Sequence, residues 1–210
     1  MLLLVLSIAL LIAFAYILGS VPFGLVIAKV FYRVDIRQHG SGNIGATNCL
    51  RTLGPIAGFL VLTADVLKAM IPILIAQAVL SDSPDIVPLM SVIVGLSAVI
   101  GHSYSIFLGF SGGKGMATAS GIILALWPWA APILVGIWLL VIALTRYVSL
   151  ASIIVALTLP VLVAILYPST VYIAFSLLVG LVVVYRHRSN ISRLLAGTEL
   201  KMGEKSMEAD

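Results

Sequence analysis

The chain has 210 residues, 61% of them hydrophobic and only 10% charged, with 12 Lys and Arg against 8 Asp and Glu. A soluble domain averages about 25% charged residues, so a water-facing surface is excluded and one all-α, polytopic membrane domain over residues 1–210 is the reading. The net charge of +4 lies in cations scattered between apolar runs, which suits chain orientation and phosphate contact rather than nucleic acid.

MLLLVLSIALLIAFAYILGSVPFGLVIA opens the chain without a basic leader and runs too long for a cleaved signal peptide, so the uncharged stretch 1–28 holds a first span. The island HGSGNIGATNCLR, residues 39–51, follows. Gly40, Gly42 and Gly45 let backbone N–H groups converge on an anion, and Ser41, Asn43, Thr47 and Asn48 add compact donors. Arg51 adds a guanidinium fork suited to phosphate. A plain interhelical loop with a helix cap is the competing reading. Cys49 is the only cysteine, which excludes an intrachain disulfide and a cysteine metal cluster.

Residues 53–80 join into one helix with Asp65 and Lys68 inside it, three apart and therefore on one face. The stretch 86–113 holds a span and then the second island, GHSYSIFLGFSGGKGMAT. Gly112, Gly113 and Gly115 surround Lys114 just before a helix start that carries Thr118, an arrangement ready for an anion. It is not a Walker A loop: Leu108 replaces the first glycine, and Gly115 follows the lysine. His102 reads equally well as a base or phosphate donor and as a satisfied histidine at a helix end.

The 31 residues 115–145 make about 46 Å as one helix, yet Pro128 and Pro132 lie near the middle. Two short helices joined at WPWAAP give seven spans and put 33–52, 102–114, 145–149 and 186–210 on one side, which the positive-inside rule favours over one kinked helix and six spans. The chain then begins outside the cytoplasm and ends inside it. YPST breaks 147–185 into two helices, and RHRSNISRLLAGTELK follows the last one. There Asn190 and Arg193, three apart, share a face with His187 if the helix continues. Arg186, Arg188 and Arg193 also read as positive-inside anchors, the preferred reading for Arg188, and within the cytoplasmic segment 185–210 the trailing GTELKMGEKSMEAD, residues 197–210, reads as a frayed polar tail.

The three islands, in order and spacing across nearly the whole chain, resemble the bacterial acyl-phosphate:glycerol-3-phosphate acyltransferase family, often called PlsY. SGNIGATNCLR is similar to its first signature, GHSYSIFLGFSGGKGMAT to its second and RHRSNISRLLAGTE to its third. Ser105 stands where the family commonly has proline, Ser111 where it has a basic residue, and Ala69 where glycine follows the lysine.

The resemblance implies a cytoplasm-facing enzyme of the inner membrane, acting as a monomer, that moves a fatty acyl group from acyl phosphate to the 1-hydroxyl of sn-glycerol 3-phosphate. Lysophosphatidic acid and inorganic phosphate are the products, in the first acylation of phospholipid synthesis. Ser41, Arg51, Lys114, His187 and Asn190 fall on the glycerol phosphate side. The amides near Gly112 and Gly113, with Asn43, Thr47 and Thr118, fall on the acyl phosphate side. Gly42, Gly45, Asn48, His102, Gly115 and Arg193 complete the substrate-binding set.

No metal or nucleotide cofactor and no nucleic acid is implied, and membrane lipid is the surrounding partner. His102 has Phe107 five residues on, so the HxxxxD pair of soluble-type acyltransferases is absent. A small-solute or ion transporter is the alternative, with Asp65 and Lys68 on its path; a structural membrane subunit is a further one.

Overall fold

The computed structural model describes residues 2–204, all helix and connection apart from one isolated β-bridge between Ser105 and Ser111. Ten α-helices run in the order α1 (Leu2–Ser20), α2 (Phe23–Tyr32), α3 (Ala46–Leu53), α4 (Pro55–Val79), α5 (Val87–Ser103), α6 (Met116–Leu126), α7 (Ala130–Thr145), α8 (Val148–Leu166), α9 (Thr170–Arg186) and α10 (Arg188–Leu195). Three of them, α1, α4 and α8, are by themselves long and apolar enough to cross a membrane. Helices α5, α6, α7 and α9 are shorter and equally apolar.

The breaks follow backbone chemistry. Pro22 has no N–H to donate and pushes its predecessor out of the helical region, so the first apolar stretch ends at Ser20 and α2 departs as a separate helix. Pro128 separates α6 from α7, whereas Pro132 sits in the first turn of α7, where no N–H is needed. Residues 115–145 are thus two helices. Residues 167–169 separate α8 from α9. Pro55 opens α4 and Pro72 lies within it, yet α4 runs on for 25 residues.

Side contacts fix which ends lie together. Adding a Cβ at Gly19 near the end of α1 would strike the backbone of Ala98, and one at Gly101 would strike the backbone of α1, so α1 and α5 end side by side. Arg186 at the end of α9 donates to the carbonyls of Gly112 and Gly113, ahead of α6. Arg146 beyond α7 exchanges hydrogen bonds with Met202, N–H to carbonyl 2.7 Å and guanidinium to carbonyl 2.8 Å. At the opposite end the Trp129 N–H donates to the Tyr167 hydroxyl (3.0 Å), and Trp127 stacks edge-on with Tyr172, centroids 5.9 Å apart.

Helices α1 and α4–α9 therefore alternate in direction. All three islands gather at one end of the bundle, and the 80–86 loop, 127–129 and 167–169 lie at the other. One large apolar core unites α1 and α4–α9, and a smaller one packs α2 and α3 against the start of α4. The perimeter is apolar as well, with Leu3, Phe59, Leu140, Leu157, Ile165 and Leu181 all exposed. In water that surface would aggregate, and in hydrocarbon it is the right solvent face.

Candidate active site

The first island is a loop built around one side chain. Asn48, 2% exposed, donates through Nδ2 to the carbonyls of Ile36 (3.2 Å), His39 (3.0 Å) and Asn43 (2.9 Å), and its Oδ1 accepts the Ser41 N–H at 2.9 Å. Both ends of the amide are consumed, so Asn48 shapes the loop from inside. Gly40 and Gly42 take φ of +61° and +67°, the left-handed region that lets the chain turn back over Asn48. Asn43 accepts the Gly45 N–H at 2.9 Å, and Gly45 leads into α3. Ser41 and Thr47 are exposed at the rim. Arg51, half-buried on α3, has its Nε buried without a protein partner among the described residues.

The second island is held more rigidly. Ser105 gives its N–H to the Ser111 carbonyl (3.2 Å) and its hydroxyl to the Ser20 carbonyl (2.6 Å), so this serine makes a backbone bond that proline cannot. The Gly113 N–H donates to the His102 carbonyl at 3.1 Å. Arg186 closes the other side, with Nη2 to the carbonyls of Gly112 (2.9 Å) and Gly113 (2.8 Å) and Nε to Gly113 (3.1 Å). Gly115, at φ +79°, turns the chain into α6, whose first amides have no carbonyl inside the helix to bond. His102 is 4% exposed, its Nδ1 2.8 Å from the Lys68 ammonium and its ring packed on Gly113, so it stands behind the turn. Lys68 and Asp65 form the ion pair their spacing predicts, 2.7 Å apart.

In the third island the chain bends by 56° at His187, between α9 and α10. The expected continuing helix is therefore corrected: the α9 ladder stops, yet Asn190 and Arg193 still share a face of α10. Both grip Glu199, Asn190 Nδ2 at 2.6 Å and Arg193 Nε at 2.7 Å. A second correction concerns the tail. Glu199 and Met202 anchor residues 197–204 to α10 and to Arg146, because the half-buried Glu199 carboxylate pairs with Arg193 and the Arg146 guanidinium takes the Met202 carbonyl. The remaining frayed-tail expectation, 205–210, lies outside the described residues.

Electrostatics tie these pieces into one cluster. Burial pushes the Lys114 ammonium down to about 8, with Glu199 pulling up and Arg193, Arg51 and Arg186 pushing further down. Burial likewise pushes His187 down to about 4, despite its bond to a backbone carbonyl. His187 is therefore neutral near pH 7. Its Nδ1 donates to the Val183 carbonyl at 2.8 Å, which leaves Nε2 as an acceptor. Burial raises Glu199, but hydrogen bonds, those of Asn190 and Arg193 among them, outweigh it and keep the carboxylate ionised.

Lys114, Arg51, His187, Asn190 and Arg193 thus come together around Glu199. Beside them a cleft of about 160 Å³ lies between the two glycine loops, lined by Arg37, Gly42, Asn43, Ser111 and Gly112. Thr118, fully buried, has no partner for its hydroxyl among the described residues.

Three residues of this site were not legible as such. Arg37 carries no reading in the sequence, Arg186 reads as one of three cations open to an anchor role, and Glu199 falls in the expected frayed tail. Their only local signal is charge next to a glycine island.

Apolar helices with a cluster of cations and free amides at one end define a membrane-embedded protein whose site suits a phosphate-bearing substrate. The family model for glycerol-3-phosphate acyltransferase matches residues 9–197. A relative from Moorella thermoacetica, "Glycerol-3-phosphate acyltransferase 2", is 44% identical over 91% of this chain and 96% of its own. One from Trichlorobacter lovleyi, "Glycerol-3-phosphate acyltransferase", is 46% identical over 90% and 95%. The chain is also similar to the crystal structure of PlsY, an integral membrane glycerol 3-phosphate acyltransferase, in its glycerol 3-phosphate form. That match has a TM-score of 0.87 and 41% identity over 94% of this chain and 96% of that one. The lysophosphatidic acid form matches with a TM-score of 0.84 at 39% identity. The chain belongs to the glycerol-3-phosphate acyltransferase family.

Proposed function

We propose that this chain transfers a fatty acyl group from acyl phosphate to the 1-hydroxyl of sn-glycerol 3-phosphate, releasing lysophosphatidic acid and inorganic phosphate. The observation that carries the assignment is the half-buried Lys114, held between a clamped glycine turn and the start of α6 within the cluster of Arg51, His187, Asn190 and Arg193.

In this reading Ser41, Arg51, Lys114, His187 and Asn190 hold glycerol 3-phosphate. The acyl phosphate head lies against Asn43, Thr47, Thr118 and the Gly112–Gly113 backbone, beside Arg37. The glycerol oxygen attacks the acyl carbon, the ester C–O bond forms, and the anhydride C–O bond breaks with its electron pair leaving on phosphate. A His187 pushed down to about 4 is a weak base at neutral pH, so its Nε2 orients the hydroxyl and a phosphate oxygen takes the proton. Cations and amides fixed in a dry site stabilise the charge that develops on the departing phosphate, and holding both substrates supplies proximity.

Residues 1–210 act as one membrane domain and as a monomer, with seven spans, the N-terminus outside and the site facing the cytoplasm. The 80–86 loop carries Asp82 and Asp85 and no Lys or Arg, and every basic island lies at the opposite end, which supports that orientation. The small donors of the site offer no place for adenine, which supports acyl phosphate over acyl-CoA as donor.

The test is phosphate release from palmitoyl phosphate by purified protein, with and without glycerol 3-phosphate, beside palmitoyl-CoA as donor. Release that depends on glycerol 3-phosphate and yields lysophosphatidic acid is expected. Release indifferent to glycerol 3-phosphate, or equal use of the thioester, contradicts the proposal.

A further inference from the structure

Beneath the second glycine turn lies a charged network that no step above uses. Asp65 and Lys68 are 1% and 2% exposed, and each sits inside α4 where an apolar residue would be cheaper. The Lys68 ammonium hydrogen-bonds to His102 Nδ1 at 2.8 Å and to the Val21 carbonyl at 3.2 Å, and lies 2.7 Å from Asp65 Oδ1 as an ion pair. Because an ammonium only donates, Nδ1 is the acceptor and the His102 proton is on Nε2. The ring is thereby fixed in place and in tautomer.

Its far edge abuts Gly113. A Cβ at Gly113 would run into Nε2, with Cε1 at 2.7 Å and Cδ2 at 3.2 Å. The same glycine gives its N–H to the His102 carbonyl and its carbonyl to Arg186. Across a trans peptide the N–H and C=O point in opposite directions, so the Lys114 N–H faces away from Arg186. His102 therefore closes the one side of the turn that Arg186 leaves open, one residue before Lys114.

We propose that Asp65, Lys68 and His102 are positioning residues for acyl transfer: the buried ion pair sets the His102 ring, and the ring sets the Gly112–Gly113 turn that carries Lys114. The inference rests on the acyltransferase reading and deepens it. Without the ring the turn relaxes into the vacated space and Lys114 shifts relative to its phosphate. A misplacement of about 1 Å costs on the order of 100-fold in rate.

The experiment measures kcat and KM for glycerol-3-phosphate-dependent phosphate release, well below each variant's melting temperature. His102→Ala should remain monodisperse and lose about 30-fold or more in kcat. His102→Asn keeps an acceptor for Lys68 but lacks the far ring edge, so it should recover melting temperature and not kcat. The double variant Asp65→Leu/Lys68→Met removes both charges together, avoiding a lone buried ion, and should lose kcat in the same way. Combined with His102→Ala it should lose no more, since both act through the ring.

Gly113→Ala should be inactive by collision with His102. Gly113→Ala/His102→Ala should regain at least about tenfold over Gly113→Ala, as the methyl enters the space the ring leaves. Gly112→Ala, whose methyl meets the His102 backbone carbonyl, should not be rescued. Wild-type kcat in folded His102→Ala, or no rescue of Gly113→Ala, overturns the proposal. An inactive wild-type protein instead overturns the acyltransferase reading beneath it.

Discussion

Replacing Lys114 with alanine removes a cation that the fold has gone to some length to hold. Its half-buried ammonium follows two glycines whose carbonyls are fixed by Arg186 and precedes the unpaired amides of α6. Loss of one preorganised donor to a developing oxyanion costs about 100- to 1000-fold in turnover, or about 2.7–4 kcal/mol, and a site serving two phosphates should sit near the upper figure. Lys114→Arg should also be poor, because the planar fork is broader than the compact ammonium. Arg188→Ala should stay near wild type, since that exposed guanidinium lies over Tyr185, 4.6 Å from the ring centroid, away from the cluster.

The same lysine makes an opposite prediction for stability. Burial lowers its pKa from 10.5 to about 8, so between those values the unfolded chain binds a proton that the native chain does not. Stability therefore rises with pH across that window, and the full penalty, about 3 kcal/mol, is present below pH 8. At pH 7 Lys114→Met should raise the melting temperature by several degrees while abolishing transfer. The assay is glycerol-3-phosphate-dependent phosphate release at matched protein amount, beside thermal unfolding of the same preparation. If a monodisperse Lys114→Ala protein retains more than about a tenth of wild-type turnover, an effect under ~1.4 kcal/mol, the lysine is not the phosphate anchor.

Three further outcomes are expected. His187, held near 4, should stay neutral through neutral pH; stability should fall as pH drops from 6.5 toward 4, because the unfolded chain takes the proton first, and His187→Asn should flatten that slope in a melting series. Asn48→Ala strands three carbonyls and the Ser41 N–H, and should cost about 3 kcal/mol in thermal unfolding with loss of activity; an unchanged melting temperature would mean the loop is shaped by something else. In a Cys49→Ser background, a cysteine at Asp82 should react with an impermeant thiol reagent from outside the cell. Labelling from the cytoplasmic side alone would rule out the seven-span arrangement.

Local chemistry determined most of the architecture. Apolar run length set the helices, Pro22, Pro128 and the 167–169 turn set their breaks, and the clustering of glycine with isolated cations marked the three islands as one functional set. These are effects of a residue on its own backbone or on the surrounding solvent, and a linear sequence carries them in full.

What the tertiary structure alone decided is partnership. Arg186 reads as a membrane anchor until α9 places it against the carbonyls of a turn 73 residues away. Glu199 reads as a loose tail until α10 bends by 56° and brings Asn190 and Arg193 to it. His102 reads equally well as a base and as a buried histidine until Lys68 from another helix places its ring behind the glycine turn. A charge in a low-dielectric interior takes its role from whichever opposite charge or dipole packing brings within about 3 Å, and that distance is a property of the fold.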